Sequence, residues 1–407
     1  LIEVIVWIIV GAFILEATLD RLNQNSASNE PDPLVANLYD KKGRVNSIAY
    51  GAERTNLGLF SGFASLALLI LALTFDWFAA LDRAISGWLD SQLLVSLVFI
   101  GLLSVISWWI SLPFTLYSTF KIEAKYGFNK TTLKTFILDS IKGSLVSLVI
   151  GGPILAAIIW LYQRFQGAFW FYAWILVAVF SLFMFMFGTR LILPLFNKLQ
   201  PLEDGALKKA ISSYCDSQGY SLKHLYVMDG SKRSTKANAF FSGLGKSKTI
   251  VLFDTLIAKL TQDEIVAVLA HEIGHYKKRH TLLSFVISNI QTFTIFALFG
   301  WALQYEELSI ALGADSSSFH LSALTFFILL TPLQVVLGLV NNSISRKNEL
   351  EADTFAAVTF KRAPMRSALS KITTDSLSNL TPHPLYVAFN YTHPPLVARL
   401  RNVDFRD

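Results

Sequence analysis

Residues 271–275 read HEIGH, inside a run from Thr261, TQDEIVAVLAHEIGHYKKRH, that has the pattern of a helix. Thr261 with Glu264 three residues on is a capping box, which satisfies two backbone donors at a helix start. On a helix, positions i and i+4 share a face, so His271 and His275 can each turn an imidazole nitrogen to one ion. Glu272 then stands beside that ion without ligating it, placed to take a proton from a water that the metal acidifies. The chemistry open to such a trio is zinc-assisted hydrolysis. The five residues alone also allow two core histidines that merely hydrogen-bond.

A second stretch bears on the choice. SRKNELEADTFAAVTF, from Ser345, is again helical in pattern, with Glu349 and Asp353 at i and i+4. One carboxylate can bind zinc while the other accepts the second N–H of a ligand histidine. Read alone, the stretch is better taken as a solvated charged helix. Together the two helices supply His, His and Glu around an open position, the layout of a catalytic and not a closed structural zinc. The single cysteine, Cys215, excludes an intramolecular disulfide framework and a cysteine-rich metal cluster, so any metal must use histidines and carboxylates.

The elements that position these residues belong to a membrane protein. Of the 407 residues, 53% are hydrophobic and only 16% charged, against about a quarter charged in soluble chains. A span takes about 20 apolar residues. Spans are expected near residues 2–19, 57–81, 92–120, 136–162, 168–196, 281–304 and 319–345. The first, LIEVIVWIIVGAFILEATL, lacks the basic start and small-residue cleavage site of a signal peptide and is expected to be a membrane helix.

Lys and Arg cluster after the first span (Lys41, Lys42, Arg44, Arg54), after the third (Lys121, Lys125, Lys130, Lys134) and after the fifth. The other connections carry only Arg83, only Arg164, or no basic residue. The positive-inside bias then puts the N-terminus outside and the C-terminus and catalytic motifs towards the cytoplasm. The net charge of +6 belongs to this bias, and with no nucleic-acid motif present, nucleic acid is excluded as a partner.

The expected organisation has four parts. Residues 1–196 hold membrane helices 1 to 5 and their cytoplasmic loops, and residues 197–280 form a cytoplasmic-side α/β insert carrying the HEIGH helix. Residues 281–345 hold helices 6 and 7, and residues 346–407 a helical segment that completes the site. Within the insert, PLEDGALKKAISSYCDSQG reads as an amphipathic helix, HLYVMDG as a strand, NAFFSGLG as an edge strand, and KTIVLFDTLIAKL as a strand running into a helix.

His275 precedes the apolar run from Leu282 by about six residues, and Glu349 follows the seventh span directly. Both ligand helices are therefore expected to continue membrane helices, which holds the metal at the cytoplasmic interface. Such an enzyme suits a substrate that is itself held at the membrane, and water must reach the metal through a hydrated cavity. Asn289, Gln291, Gln334, Asn341 and Asn342 can line that space or bond between helices.

HEIGH at 271, SRKNELEAD at 345, YVMDGSKRSTKANAFFSGLG at 226, KTIVLFDTL at 248, EAKYGFNKTT at 123, LPLFNKLQPLEDGALK at 193 and YTHPPLVARL at 391 together resemble the CAAX prenyl protease type 1, or Ste24, family. The resemblance implies a mainly α-helical zinc metalloprotease of the gluzincin type. Its seven or so membrane helices surround a water-filled chamber, and a small zincin-like α/β insert carries an edge strand. It implies one Zn2+ held by His271, His275 and Glu349, with Glu272 catalytic and Asp353 behind a ligand histidine. By the same resemblance His393 and Arg399 contact the substrate backbone and stabilise the oxyanion, and Asn238 with Ala239 lies along the peptide. No chemistry is assigned to His224, His280, His320 or His383.

Family members remove the aaX tripeptide from prenylated CaaX proteins. The implied partners are membrane lipids and a peptide or protein with a membrane-held C-terminus, prenylated or not. The compact chain resembles a bacterial member, which implies the bacterial inner membrane, or the endoplasmic reticulum membrane in a eukaryote. Two rivals differ in expectation. A quality-control protease of broad specificity keeps the chemistry without prenyl dependence, as in the HtpX group. A transporter or chamber protein with structural zinc places ionisable groups within the spans.

Overall fold

The computed structural model describes residues 1–404 apart from residues 221, 223 and 243–248, and leaves the side chains of 241 and 242 undescribed. The N-terminal half is helical: α1 (Ile2–Ser26), α2 (Lys41–Thr74), α3 (Trp77–Ser86), α4 (Gln92–Tyr117), α5 (Leu133–Phe165) and α6 (Phe169–Phe196). The insert follows as β1 (Leu199–Pro201), α7 (Ala206–Ser217), β2 (His224–Met228), β3 (Ala239–Ser242), β4 (Thr249–Phe253), α8 (Asp254–Lys259) and α9 (Gln262–Lys277). The remainder is α10 (His280–Ala302), α11 (Glu307–Ile310), α12 (Phe319–Leu329), α13 (Thr331–Thr359), α14 (Arg362–Asp375), α15 (Pro384–Asn390) and α16 (Leu396–Asp404).

Among the described residues, five continuous apolar stretches are long enough to cross a membrane, and α12 with α13 forms a further one, bent by 53°. The longest of the five, Leu133–Phe196, is α5 and α6 folded against each other, which brings the crossings to seven. The seventh is broken where the sequence suggested one straight helix, because Thr331 and Pro332 start a new helix after Leu330. The second departs too: α2 begins at Lys41 and ends at Thr74, where Asp76 takes a left-handed conformation (φ 51°) and α3 turns off separately.

Side chains such as Trp7, Phe60, Val149 and Ile290 are 60–75% exposed, an apolar surface that lipid would cover. Only 6–17% of the most apolar window in each of the five continuous spans is buried, so the crossings do not pack as a solid bundle. The polar residues within them are partly spent on bonds. Gln291 of α10 and Asn341 of α13 exchange two amide bonds of 2.9 and 3.2 Å, and Asn289 donates to its own helix at Phe285.

The loops sort to two ends, as alternating crossings require. At one end Arg233 of the insert pairs with Asp139 at 2.7 Å, Lys236 with Glu123 at 2.9 Å, and Ser47 donates to Leu377 O at 3.0 Å. At the other, His320 at the start of α12 meets Asp82 of α3 at 2.8 Å and Ser96 of α4 at 3.1 Å.

The insert is a four-stranded mixed sheet in the order β1-β2-β4-β3, with only the β2–β4 pair parallel. β3 occupies one edge, and the GLG of the expected edge segment lies outside the described residues. β4 is buried and leads through α8 into α9, whose Ile265, Leu269 and Ile273 share one core with Ile211 of α7, Leu369 of α14 and Leu400 of α16.

The capping box that starts α9 is formed on both sides, Glu264 N to Thr261 Oγ1 at 3.4 Å and Thr261 N to Glu264 Oε2 at 2.7 Å. Glu264 is 4% exposed. It also accepts from Lys371 at 2.7 Å and Ser367 at 2.5 Å. Burial alone would raise its carboxyl; the bonds from Lys371, Ser367 and Thr261 outweigh that and hold it at about 2, against an ordinary 4.5. A carboxylate whose folded pKa is depressed stabilises the fold fully above its unfolded value, here by on the order of 3 kcal/mol. That contribution drains away as pH falls from about 4.5 towards 2. Glu264→Gln should therefore be less stable at neutral pH and lose less on acidification. Thermal unfolding between pH 6 and pH 3 measures this, and acid limbs of equal steepness in the two proteins would count against it.

Candidate active site

α9 and α13 cross closely because their facing residues are small. Ala267, Ala270 and Gly274 recur at helical spacing on α9, as do Ala352 and Ala356 on α13, and all five are buried. A Cβ at Gly274 would stand 3.2 Å from Ala352 Cα and from Phe355 Cβ, tight enough that the facing backbone or Phe355 would have to give by a few tenths of an ångström. The contact sets His271 and His275, three residues before and one after Gly274, opposite Glu349 and Asp353.

His271 Nε2 and His275 Nε2 lie 3.2 Å apart. Glu349 places Oε2 3.4 Å from the first and Oε1 3.2 Å from the second. Among the described residues, these three are the group of metal-binding types whose ligand atoms converge. A tetrahedral zinc with bonds of about 2.0–2.1 Å sets its ligand atoms about 3.3 Å apart. The two Nε2 atoms already stand at that separation, each has one Glu349 oxygen at a similar distance, and one ligand atom from each of the three residues lies within 4.8 Å of the others. Glu349 Oε2 is also buried without a hydrogen-bond partner, a costly state for a carboxylate oxygen unless a cation sits beside it. The donor set and its spacing fit zinc.

Behind the triangle, His271 Nδ1 meets Asp353 Oδ1 at 2.8 Å. Asp353 is fully buried, and its two oxygens accept from Arg399 Nη2 at 2.6 Å and Nε at 2.7 Å. Nη2 also comes within 3.3 Å of Glu349 Oε2. Burial alone would depress His271; bonds to Asp353 and Glu349 outweigh it and raise the imidazole to about 9. Glu272, half-buried, has its carboxyl pushed up by burial, with the charges of His271 and His275 pulling it back.

The C-terminal segment supplies the other wall. Pro394 and Pro395 precede α16, whose first turn brings Arg399 inward. His393, just before them, has a 61% exposed side chain and sets Nε2 3.3 Å from Glu349 Oε1. This segment is tied to α13 by Arg346, which donates to Val387 O at 2.9 Å and Tyr391 O at 2.7 Å, and by Asn402, which donates to Leu350 O at 2.8 Å. Nothing in the sequence pattern singles out Arg346.

Six of the residues singled out by sequence, His271, Glu272, His275, Glu349, Asp353 and Arg399, therefore come together with His393 at their open side. Asn238 and Ala239 stand apart on the sheet edge. Asn238 is exposed, its carbonyl accepting from Phe253 N at 3.1 Å and its side chain from Ala239 N at 2.8 Å. No hydrogen bond or ion pair among the described residues joins either to the cluster.

One expectation is corrected. α13 does run unbroken from the seventh crossing to Glu349 and Asp353, but α9 does not continue into the sixth. α9 stops at Lys277, Arg279 turns left-handed (φ 59°), and α10 starts afresh at His280. The turn brings His280, which carried no expected role, within 3.0 Å of His275.

Residues 21–198 match a family model described as CAAX prenyl protease N-terminal, five membrane helices, and residues 201–407 match that of peptidase family M48. The chain is similar to a CAAX prenyl protease 1 homolog of Arabidopsis thaliana, 36% identical over 415 residues, covering 100% of this chain and 98% of that one. It is also similar to CAAX prenyl protease 1 of Saccharomyces cerevisiae, 34% identical with 95% and 91% covered. Among solved structures, the crystal structure of S. mikatae Ste24p is similar with a TM-score of 0.94, 33% identity and 99% of each chain covered.

The two-pronged bond from Arg399 to Asp353 needs a planar guanidinium, which lysine lacks. Arg399→Lys should leave the fold intact and weaken zinc binding by about 10–100-fold. Competition against a chromophoric chelator measures this, and unchanged affinity would contradict the linkage of Arg399 to the triangle.

Proposed function

The chain belongs to peptidase family M48 and within it to the CAAX prenyl protease type 1, or Ste24, family of membrane zinc endopeptidases, and from that premise we propose how its residues divide the work. One zinc is held by His271, His275 and Glu349. The observation that carries this is the convergence of one ligand atom from each of the three residues to within 4.8 Å of one another, the two imidazole Nε2 atoms 3.2 Å apart and each within 3.2–3.4 Å of one of the Glu349 carboxylate oxygens. When bound, zinc supplies Lewis acidity, bringing the pKa of a water from 15.7 towards about 7 and polarising the scissile carbonyl.

The remaining steps fall to side chains. Glu272, its proton affinity raised by burial, takes the proton of the attacking water and passes it to the leaving amine. His393 is exposed on the open side and donates to the oxyanion as the carbonyl becomes tetrahedral. Arg399 has Nε and Nη2 committed to Asp353. It adds positive charge to the oxyanion while keeping Asp353 in place, and Asp353 orients His271 by accepting its Nδ1–H.

The substrate is a peptide or protein at the membrane. We assign it a prenylated, membrane-held C-terminus and removal of the aaX tripeptide, supported by the names of the relatives and by a site built on a membrane helix. We assign Asn238 and Ala239 to contact with an extended peptide, supported by the edge position of β3, which among the described residues pairs with β4 alone. The lysine-rich connections and the site lie at one end of the crossings, which supports an N-terminus outside and catalysis towards the cytoplasm. The insert, 197–280, and the C-terminal segment, 346–407, act as one catalytic unit on the membrane scaffold.

Two measurements test this reading. Glu272→Gln should keep its fold and zinc while cleavage is abolished, whereas His271→Ala should lose the metal; wild-type turnover by Glu272→Gln would refute the assignment of the base. Paired CaaX peptides, farnesylated and not, should differ, with aaX released only from the farnesylated one. Equal cutting of both, or scattered sites in the product masses, would reassign the protein to broad membrane-protein proteolysis with the same chemistry.

A further inference from the structure

His280 opens α10 and is 5% exposed. Its ring stands edge-on to that of His275, with centroids 5.1 Å apart at 73°. The two Nδ1 atoms are 3.0 Å apart, and the other nitrogen of His280, Nε2, lies 3.3 Å from Glu351 Oε2 on α13. At helical spacing a residue five beyond His275 would point away from it, and only the left-handed turn at Arg279 (φ 59°) folds it back.

The direction of these bonds follows from the ligand role of His275. It turns Nε2 into the triangle, 3.2 Å from both His271 Nε2 and Glu349 Oε1. A neutral imidazole ligating through Nε2 carries its proton on Nδ1. His280 Nδ1 must then accept, so its own proton sits on Nε2 and is donated to Glu351. One tautomer assignment satisfies all three groups.

We infer that His280 is a positioning residue of the metal site: it accepts the Nδ1–H of His275, fixing that ligand's tautomer and ring plane, and is itself held by Glu351. The two ligand histidines are thus supported differently, His271 by a carboxylate directly and His275 by a carboxylate through an intervening imidazole. Because His280 is the first residue of the sixth crossing, the relay also ties the ligand to α10, as Glu349 ties the metal to α13. The inference rests on His275 being a zinc ligand.

The test is the rate of zinc loss from the full-length holoprotein in detergent to an excess of chelator, with zinc content and thermal unfolding of the metal-free form measured alongside. His280→Leu removes the acceptor at similar volume and should release zinc about 10–100-fold faster. His280→Asn keeps a carbonyl acceptor near the Nδ1 position and should recover most of the wild-type rate, which a merely structural role for the ring would not produce. Glu351→Ala changes a side chain that is 37% exposed, so it tests the relay without disturbing the core and should release zinc severalfold faster. Wild-type release from His280→Leu, or from Glu351→Ala should the leucine variant not fold, overturns the inference and leaves the zinc site standing. A wild type that binds no zinc overturns both.

Discussion

The contact between Gly274 and Ala352 is the constraint on which the site depends. It lets a helix from the insert and a helix from the membrane approach within a backbone's width, so that two histidines and two carboxylates meet at bonding distance. The rest of the molecule can be understood as holding that crossing. β4 and α8 deliver α9 to it, the Thr261–Glu264 cap and the Lys371 pair fix where α9 starts, and α7, α14 and α16 share its core. A lone HEIGH helix would have its imidazoles but no opposing Glu349 to close the triangle.

Closeness creates an electrostatic problem. Glu349 and Asp353 are nearly or fully buried and Glu272 lies beside them, and unpaired charges of one sign in such a place are costly. Arg399 answers part of it, with both bonds to Asp353 and a contact to Glu349. That contact is an ion pair without a hydrogen bond, so Glu349 Oε2 stays buried with no donor aimed at it, at the position a divalent cation would neutralise. In this arrangement metal affinity and the stability of the α9–α13 crossing are linked quantities, since the same carboxylate serves both.

Local features were legible in the sequence and those set by distant chain were not. The capping box, the i, i+4 histidines and the carboxylate pair at 349 and 353 declare themselves within five residues, and the apolar runs are long enough to count seven crossings. The breaks at Arg279 and Leu330 were missed, because composition is apolar or basic on both sides and only the backbone turn reveals them. That turn is also why His280 escaped notice: its spacing from His275 is wrong for one helix and right for two. The family resemblance gave Arg399 an oxyanion role, whereas the structure adds its grip on Asp353, a partner 46 residues away that no spacing rule could supply.

A hydrolase that keeps its metal beside a membrane crossing gains a fixed geometry between cleavage point and bilayer. α13 is one helix from Thr331 to Thr359, so Glu349 and Asp353 move only if the crossing moves. Arg346, one turn before them, holds α15 at Val387 and the following connection at Tyr391, two residues before His393, and Asn342 bonds α15 at Phe389, so the open side of the site is registered to that helix too. Gln291 and Asn341 then bolt α10 to α13 within the membrane. For a substrate anchored in the same bilayer, the distance from anchor to scissile bond becomes a property of the enzyme's frame, and length along the peptide can select the bond to be cut without a pocket for each side chain.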